Sequence, residues 1–559
     1  MIDFDNAYYP DRQKRLYFVF FTVHLLLWFL WGRTFCLQII DGDELRRAAL
    51  EQRVESIPLT VSRGDFLDRH GAPITNQKQI PRIFLFPRQF PKRLDYPREL
   101  AALLKKTEGE MREIAKANSP VMLKIDAGRE LIDQVKTRFL PGVLIANQPV
   151  RYDPGMAAHL IGYVSPLECQ GISGLEHRFD YFLIGIRFQQ LVALEDGAHR
   201  LIRGLGYRRM IYEVPGKTPC NIKLALDANW QKAAEHVMTG HVKKGAVVIM
   251  EPQTGDVLAM CSRPSYDGNN PGAYLGAGGA PLINRALRDF YPGSVFKLII
   301  AAAALEEKET SPVEMFYDPG YYEVQNHRFR CAAYEEGGHK KIYLVKAMAV
   351  SCNPVFIELG MRLGARKIVG YSRKFGFGSP TGCGLSEESR GYLENPDLMS
   401  KGDIGNISIG QKSVKTSPLQ ICSFVAAIAN GGNLYKPRIV KKILTHGGEA
   451  RKSYPPYMLA RIMSEGTART LRIMMRAVVQ NGTGRAAEAA GGSGGKTGTA
   501  QTGRKDGRGR EITHAWFAGF WPLNQPEIAM VVLVEEGKTG GASAAPLFRK
   551  IVEYYLKHH

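Results

Sequence analysis

Acidic residues are in short supply. The chain of 559 residues carries 54 Asp and Glu against 74 Lys and Arg, a formal net charge of +20 at pH 7. An excess of that size suits a polyanionic setting: nucleic acid, anionic lipid headgroups or an acidic wall polymer. A second lack argues against nucleic acid, since there is no zinc-finger spacing, no RNP motif and no basic helix with interleaved aromatics. A third lack is of long apolar runs beyond residue 40. Any membrane attachment therefore comes from the N-terminus, and the remaining chain belongs on one side of the bilayer. Cysteine is sparse, with eight in all: Cys36, Cys169, Cys220, Cys261, Cys331, Cys352, Cys383 and Cys422. Isolated cysteines read as small buried hydrophobes, which is the reading for most of these. The bulk figures are otherwise those of a globular protein with ample core, 45% hydrophobic and 23% charged. The length calls for two or three domains.

What is present starts with an anchor. Leu16 to Gly32 contains no Asp, Glu, Lys or Arg, and the apolar pattern resumes from Phe35 to Ile40. Together these are long enough to cross a hydrocarbon core of ~30 Å. Trp28, Trp31, Arg33 and Phe35 do not form a small-residue cleavage site, so residues 16–40 read as a signal anchor rather than a cleaved signal. Arg12, Lys14 and Arg15 place the tail, residues 1–15, in the cytoplasm. Leu37 to Ala48 has a helical pattern, Ser62 to Gly71 has strand and turn signals, and residues 77–150 read as short helices and strands with basic connectors. Tyr152 to His159 and Gly171 to Glu176 are turn-rich, which suggests tight backbone packing; His159 has no metal partners nearby and reads as structural. Pro215 to Pro219 marks a boundary. Beyond it come a strand at Asn221, a helix through Gln231 and His236, and two strands within Gly245 to Met260. Three more strand patterns, at residues 496–501, 514–521 and 528–535, and a helix from Ala545 to Leu556 close the chain. Strands at both ends with helices between predict a sheet flanked by helices, an α/β (α+β) class.

Chemistry concentrates at Tyr291-Pro-Gly-Ser294-Val-Phe-Lys297, ahead of the apolar run Leu298 to Leu305. Pro292-Gly293 is a turn signal, so Ser294 falls at a helix N-terminus, with Lys297 three residues on along the same face. Serine needs a base to become a nucleophile, and Lys297 is a base only when neutral. Desolvation against the apolar helix and the positive end of the helix dipole both favour that form. Most isolated Ser-x-x-Lys pairs are a cap and a solvated lysine. Here Ser351-Cys-Asn353 and Lys496-Thr-Gly-Thr499 follow in order, and the trio is the signature of penicillin-binding proteins and class A β-lactamases.

The chain resembles the class B penicillin-binding proteins, monofunctional peptidoglycan D,D-transpeptidases. Ser62 to Gly71, Arg151 to Val164 and Gly171 to Glu176 resemble boxes of the family's pedestal. Glu251-Pro-Gln-Thr-Gly255, Asn284 to Leu287, Gly410-Gln411, Ser417 to Gln420 and Ala515 to Phe520 resemble its transpeptidase domain. The resemblance implies a penicillin-binding transpeptidase fold, an antiparallel sheet flanked by helices with an all-helical subdomain. It also implies a dimerisation-type pedestal over 41–215 and a transpeptidase domain over 220–559. Ser294 would attack the penultimate carbonyl of a D-Ala-D-Ala stem peptide, Lys297 would take its proton and Ser351 would relay a proton to the leaving nitrogen. Asn353 would bond Lys297 and the substrate amide. Lys496, Thr497, Gly498 and Thr499 would line the cleft as an edge strand, with Gly498 leaving room for a substrate backbone and the polar side chains meeting a terminal carboxylate. Strand alternation puts Lys496 on the opposite face from Thr497 and Thr499, so periodicity does not say which of them reach the ligand. Amides of Ser294 and Thr499 would form the oxyanion hole.

Cys331, His339 and Cys352 stand apart, since Cys352 lies inside the Ser-x-Asn motif. Two readings stand side by side: a Cys331–Cys352 disulfide outside the cytoplasm, or a closed structural zinc site with Asp318 as the fourth donor; a reduced structural pair is the third. No cofactor is required for the chemistry. Subclass follows the sporulation type or the elongation type, also called penicillin-binding protein 2. The absence of PASTA modules removes one mark of the sporulation and division types. The absence of a glycosyltransferase segment implies a separate polymerase of the SEDS family. Implied partners are peptidoglycan stem peptides, nascent glycan, β-lactams and the membrane. A β-lactamase or D,D-carboxypeptidase-type hydrolase, and a non-catalytic sensor of wall fragments or β-lactam, are the alternatives; the anchor and the intact motifs speak against both.

Overall fold

The computed structural model describes residues 10–42, 45, 54–117, 119–123, 128–165, 170–196, 199–202, 206–213, 218–325 and 327–559. Residues 1–9 of the expected tail, Cys169 and residues 214–217 of the expected boundary lie outside them. The N-terminal helix Pro10–Phe35 continues as a π-turn, Cys36–Ile40. Its apolar stretch, Asp11–Ile40, is long enough to cross a membrane, and none of its residues is buried by the protein. Trp28 and Trp31 are 72% and 74% exposed, so lipid is the solvent that suits this segment.

The chain divides into two compact units made of interleaved segments. One comprises residues 1–60, 80–148 and 187–213; the other comprises 61–79, 149–186 and 214–559. The first unit holds two three-stranded sheets and three short helices. Strand Lys78–Leu85 lies between Val121–Leu123 and Val143–Val150, and helices Tyr96–Leu104 and Glu108–Lys116 bury Leu100, Leu104 and Met111 with Ile83 and Leu85. Thr107 starts the second helix with a capping box closed by Glu110.

The second unit is built on a five-stranded antiparallel sheet. Its strands are β1 (Gly245–Met250), β2 (Val257–Arg263), β3 (Gly494–Lys505), β4 (Glu511–Trp521) and β5 (Ile528–Val534), in the order β2-β1-β5-β4-β3. Both faces are covered, and the period of two divides the core. Val247, Ile249, Met530 and Val532 face one side; Ala246, Val248, Val531 and Leu533 face the other. Helix α1 (Ala228–Met238), capped by Asp227, covers the first side. Helices α2 (Lys297–Glu306), α3 (Asn353–Lys374), α4 (Pro418–Ala429) and α5 (Glu465–Asn481) gather on the second. Helix α6 (Ala545–His558) returns beside α1, where Tyr555 stacks on Trp230 at 3.7 Å. Every residue of α4 is buried, as expected of a helix apolar all round.

The turn-rich segments of the sequence meet at one carboxylate. Glu176 is fully buried and accepts from Arg63 Nε at 2.6 Å, Arg151 Nε at 2.5 Å and the Tyr152 hydroxyl at 3.0 Å. Arg63 also reaches Asp180 at 2.7 Å. Glycines let the backbones close around this hub: a Cβ at Gly171 would lie 2.1 Å from the Glu176 carbonyl, and one at Gly64 would lie 1.9 Å from that of Cys220. His159, also buried, bonds the Pro281 carbonyl at 2.7 Å and, among the described residues, belongs to no cluster of metal-ligating side chains, the structural role expected of it. Removing one partner of a buried ion pair leaves charge stranded in low dielectric. Glu176→Gln is expected to lower unfolding free energy by about 3–5 kcal/mol. Urea denaturation of the two proteins checks this, and equal midpoints would show the hub to be idle.

Candidate active site

The nucleophile turn is held from three sides. Gly293 has φ +55°, and a Cβ there would sit 2.6 Å from the Thr499 carbonyl, so only glycine fits. Its amide donates to the Gly410 carbonyl at 3.0 Å, while Trp516 Nε1 donates to the Tyr291 carbonyl at 3.1 Å. Residues Gly293–Phe296 form a 3₁₀ turn that runs straight into α2. In that geometry side chains three apart eclipse, so Ser294 and Lys297 project in the same direction. Ser294 is half-buried and its hydroxyl has no hydrogen bond among the described residues; Lys297 is fully buried.

Four of the expected residues converge on the Ser351 loop. Lys297 Nζ donates to Asn353 Oδ1 at 2.6 Å and to the Ser351 carbonyl at 2.7 Å, with Ser351 Oγ at 3.3 Å. Lys496 Nζ donates to Ser351 Oγ at 2.8 Å and to the Thr497 carbonyl at 3.0 Å. Ser351 adopts φ +59°, a left-handed conformation that a non-glycine residue rarely takes. Asn353 opens α3, followed by Pro354 in the first turn, and its Nδ2 donates to the Arg330 carbonyl at 2.8 Å. One of the two Nδ2 hydrogens is thus engaged by the protein's own backbone. Burial pulls Lys297 down to about 8. Burial, and then the charge of Lys297, push Lys496 well below the ordinary lysine value.

The edge strand β3 separates its motif as alternation requires. Lys496 lies opposite Ala518 and faces α2; Thr497 and Thr499 lie opposite Phe517 and Ala515 on the other face. Thr497 Oγ1 is 2.6 Å from Thr483 Oγ1, and Thr499 Oγ1 accepts from the Gly540 amide at 3.3 Å. Gly498 is compressed by the nucleophile turn rather than left open. A Cβ there would approach the Pro292 carbonyl at 2.8 Å and Val295 Cγ2 at 2.9 Å. Thr483 escaped the sequence reading. Its amide donates to the Ala349 carbonyl at 3.0 Å, so the residue ties the approach to Ser351 to the hydroxyl of Thr497. Only the flanking glycines, Gly482 and Gly484, hinted at a constrained turn.

The second constellation also assembles. One donor atom from each of Asp318, Cys331, His339 and Cys352 lies within 4.8 Å of the others. His339 Nδ1 is 2.6 Å from Asp318 Oδ2, Cys352 Sγ is 3.2 Å from it, and Cys331 Sγ is 3.3 Å from His339 Nδ1. Both cysteines are free thiols. Burial opposes ionisation of Asp318, but hydrogen bonds from His339 and the Gly320 amide hold its carboxyl below the usual value. Asn353 and Cys352 are neighbours, so this cluster and the lysine network share one loop.

The model of the penicillin binding protein transpeptidase domain matches residues 245–553, and that of the penicillin-binding protein dimerisation domain matches 58–204. The chain is 31% identical to Stage V sporulation protein D of Bacillus subtilis, over 97% of this chain and 85% of that protein. It is 29% identical to the peptidoglycan D,D-transpeptidase MrdA of Acinetobacter baumannii, over 98% and 88%. Among solved structures, the D,D-transpeptidase domain of a peptidoglycan glycosyltransferase from Eggerthella lenta superimposes with a TM-score of 0.63 at 22% identity. The match covers 89% of this chain and 98% of that one, a likeness of fold.

A methyl group at Gly498 would push the turn that carries Ser294. Misplacement of a reacting group by about 1 Å costs on the order of a hundredfold. Gly498→Ala is expected to slow covalent labelling of Ser294 by a fluorescent penicillin by that order while the protein stays folded. Labelling at the wild-type rate would mean that the turn yields without consequence.

Proposed function

The chain belongs to the class B penicillin-binding proteins, monofunctional peptidoglycan D,D-transpeptidases of elongation or sporulation wall synthesis, and on that premise we propose that its acyl-enzyme forms at Ser294. The observation that carries the assignment is the buried pair of lysines bracketing Ser351. Neutral Lys297 takes the Ser294 proton as Oγ attacks the penultimate carbonyl of a D-Ala-D-Ala stem. Amides of Ser294 and Thr499 receive the developing oxyanion. The C–N bond then breaks, and the departing D-Ala nitrogen gains the proton that Lys297 took, passed through Ser351 Oγ, which Lys496 holds in place. An amine of a neighbouring stem attacks the ester, returns the proton and restores Ser294. Thr497 and Thr499 bind the terminal carboxylate. Asn353 positions Lys297.

The setting belongs to the proposal too. Arg12, Lys14 and Arg15 ahead of the apolar helix support an inward N-terminus and a catalytic unit on the outer face. A SEDS-family polymerase as the source of glycan rests on the family resemblance alone.

For the Cys/His cluster we propose structural zinc. Two sulfurs, one nitrogen and one carboxylate oxygen make a donor set that zinc takes, and tetrahedral ligands at zinc distances stand ~3.3–3.8 Å apart. The separations of 3.2 and 3.3 Å lie close to that range, and the 2.6 Å between His339 Nδ1 and Asp318 Oδ2, a hydrogen-bond distance, would open on taking up the ion. A disulfide would use neither the fully buried Asp318 carboxylate nor His339, and this favours metal. With four protein donors the ion has no open position and serves as a cross-link under the Ser351 loop.

Fluorescent penicillin is expected to leave a stable label on the wild-type protein and none on Ser294→Ala. Fast release of the label would favour a hydrolase. A base titrating near 8 must be unprotonated to act, so acylation rises with pH, about fivefold from pH 7 to pH 8, and levels off above pH 9. A flat profile would remove Lys297 from the base's role. Protein purified without chelator is expected to carry one zinc per chain and, once the metal is stripped under denaturing, non-reducing conditions, to titrate all eight thiols. Two fewer thiols and no metal would establish the disulfide instead.

A further inference from the structure

The segment Gly410 to Thr416 is strapped to the nucleophile turn at both ends. Phe290 and Thr416 exchange two backbone hydrogen bonds of 2.9 Å, and the Gly293 amide reaches the Gly410 carbonyl at 3.0 Å. A Cβ at Gly410 would lie 2.0 Å from the Gly293 carbonyl, so the two backbones touch. The strap carries two lysines. Lys415 lies opposite Tyr392 in a two-stranded ladder, with its Nζ 5.3 Å from the centre of the Tyr291 ring, three residues before Ser294. Lys412 is exposed and adopts φ +52°, in the region glycine fills without cost. A lysine there keeps a strained backbone, and strain of that kind marks functional positions more often than idle ones. Neither lysine forms an ion pair among the described residues. The neighbouring Glu394 carboxylate is taken by the Tyr392 hydroxyl at 2.8 Å. The result is a pair of lysines outside any ion pair among the described residues, fastened to the turn that holds the nucleophile, with the Glu394 carboxylate nearby held by a tyrosine hydroxyl.

We propose that Lys412 and Lys415 are specificity-determining residues that select acyl donors bearing a second, free carboxylate on the stem, upstream of D-Ala-D-Ala. This deepens the transpeptidase reading and rests on it. The terminal carboxylate belongs to the leaving residue, on the β3 side. The strap adjoins the turn on which the acyl half of the donor becomes covalently held. Two cations at that border attract a donor whose acyl half is anionic and gain nothing from its primary amide. Ammonium groups on flexible stems act as point charges, so the preference is electrostatic and screened by salt.

The test compares two synthetic donors ending in D-Ala-D-Ala, one with a free carboxylate on the upstream residue and one with the corresponding primary amide, each given a common amine acceptor. For the full-length protein in detergent, kcat/KM is expected to favour the free acid by on the order of tenfold at low salt, two charges at the surface, Lys412 exposed and Lys415 half-buried, contributing a few-fold each. The preference shrinks at about 0.5 M salt, where the screening length falls below ~5 Å. It collapses towards unity in Lys412→Gln/Lys415→Gln and survives in Lys412→Arg. Lys412→Gly is expected to weaken the preference with Tm unchanged or raised, which a purely structural role would not produce. Equal use of both donors by the wild type, or a preference that persists in the double variant, overturns the proposal. So does a preference that appears only when the acceptor, rather than the donor, is amidated. Turnover of neither donor by the wild type overturns the transpeptidase reading itself, and this proposal with it.

Discussion

Two ammonium groups buried beside one hydroxyl set the terms for the rest of the catalytic unit. Lys297 and Lys496 are both fully enclosed, and both reach Ser351 Oγ. Water would keep two such groups charged, whereas a dry enclosure penalises each charge and each charge penalises the other. The protein enforces that dryness with structure that has no direct chemical part. The apolar helix α2 surrounds one lysine and the packed edge of a five-stranded sheet holds the other. Gly293, Gly410 and Gly498 allow the backbones at the nucleophile turn to come into direct contact. Lys297 is thereby available as a base close to neutral pH, and Ser351 becomes the shared terminus of two proton donors.

Much of this was legible in the sequence because it is written locally. The anchor is a run without charge, α2 is a run without polarity after Lys297, and the three motifs are short and ordered. The sheet could be expected from strand patterns at the two ends of the domain. Face alternation on β3 was also foreseeable, but its consequence was not. Whether Lys496 or the threonines turn toward Ser294 depends on which face the helices cover, and that is decided by residues hundreds of positions away. Gly498 illustrates the same limit, since its neighbour turned out to be Pro292 of the nucleophile turn. Thr483 left no periodic signature and became visible only through two bonds, one to Ala349 and one to Thr497. Glu176 lay in a turn-rich stretch that promised close packing. Nothing local announced that two arginines and a tyrosine would converge on it.

The Cys/His cluster occupies a middle ground. Residue types and proximity in sequence to the Ser-x-Asn motif were enough to nominate Asp318, Cys331, His339 and Cys352, and the fold gathers all four. Their position matters for the lysine network. Cys352 and Asn353 are consecutive, and Asn353 holds both Lys297 and the Arg330 carbonyl beside Cys331. Whatever fixes the thiols therefore also fixes the amide that orients the base. Coupling of this kind runs through one short loop with two anchored ends.

Interleaving of the two units bears on how the protein is made. Phe66 and Leu67 belong to the catalytic unit, where they pair with Ile222 and Lys223, and that strand pairs in turn with Val440 to Leu444. The earliest segment of the unit to leave the ribosome must therefore wait for partners specified far downstream. At ~5–20 residues per second the interval is roughly 20–75 s. During it the segment waits unpaired on a chain tethered by its own N-terminal helix. The tether keeps the two ends of the waiting loop near one surface, which limits the volume they explore before closure. For a unit of such non-local topology, the membrane helix is a folding aid as well as an anchor.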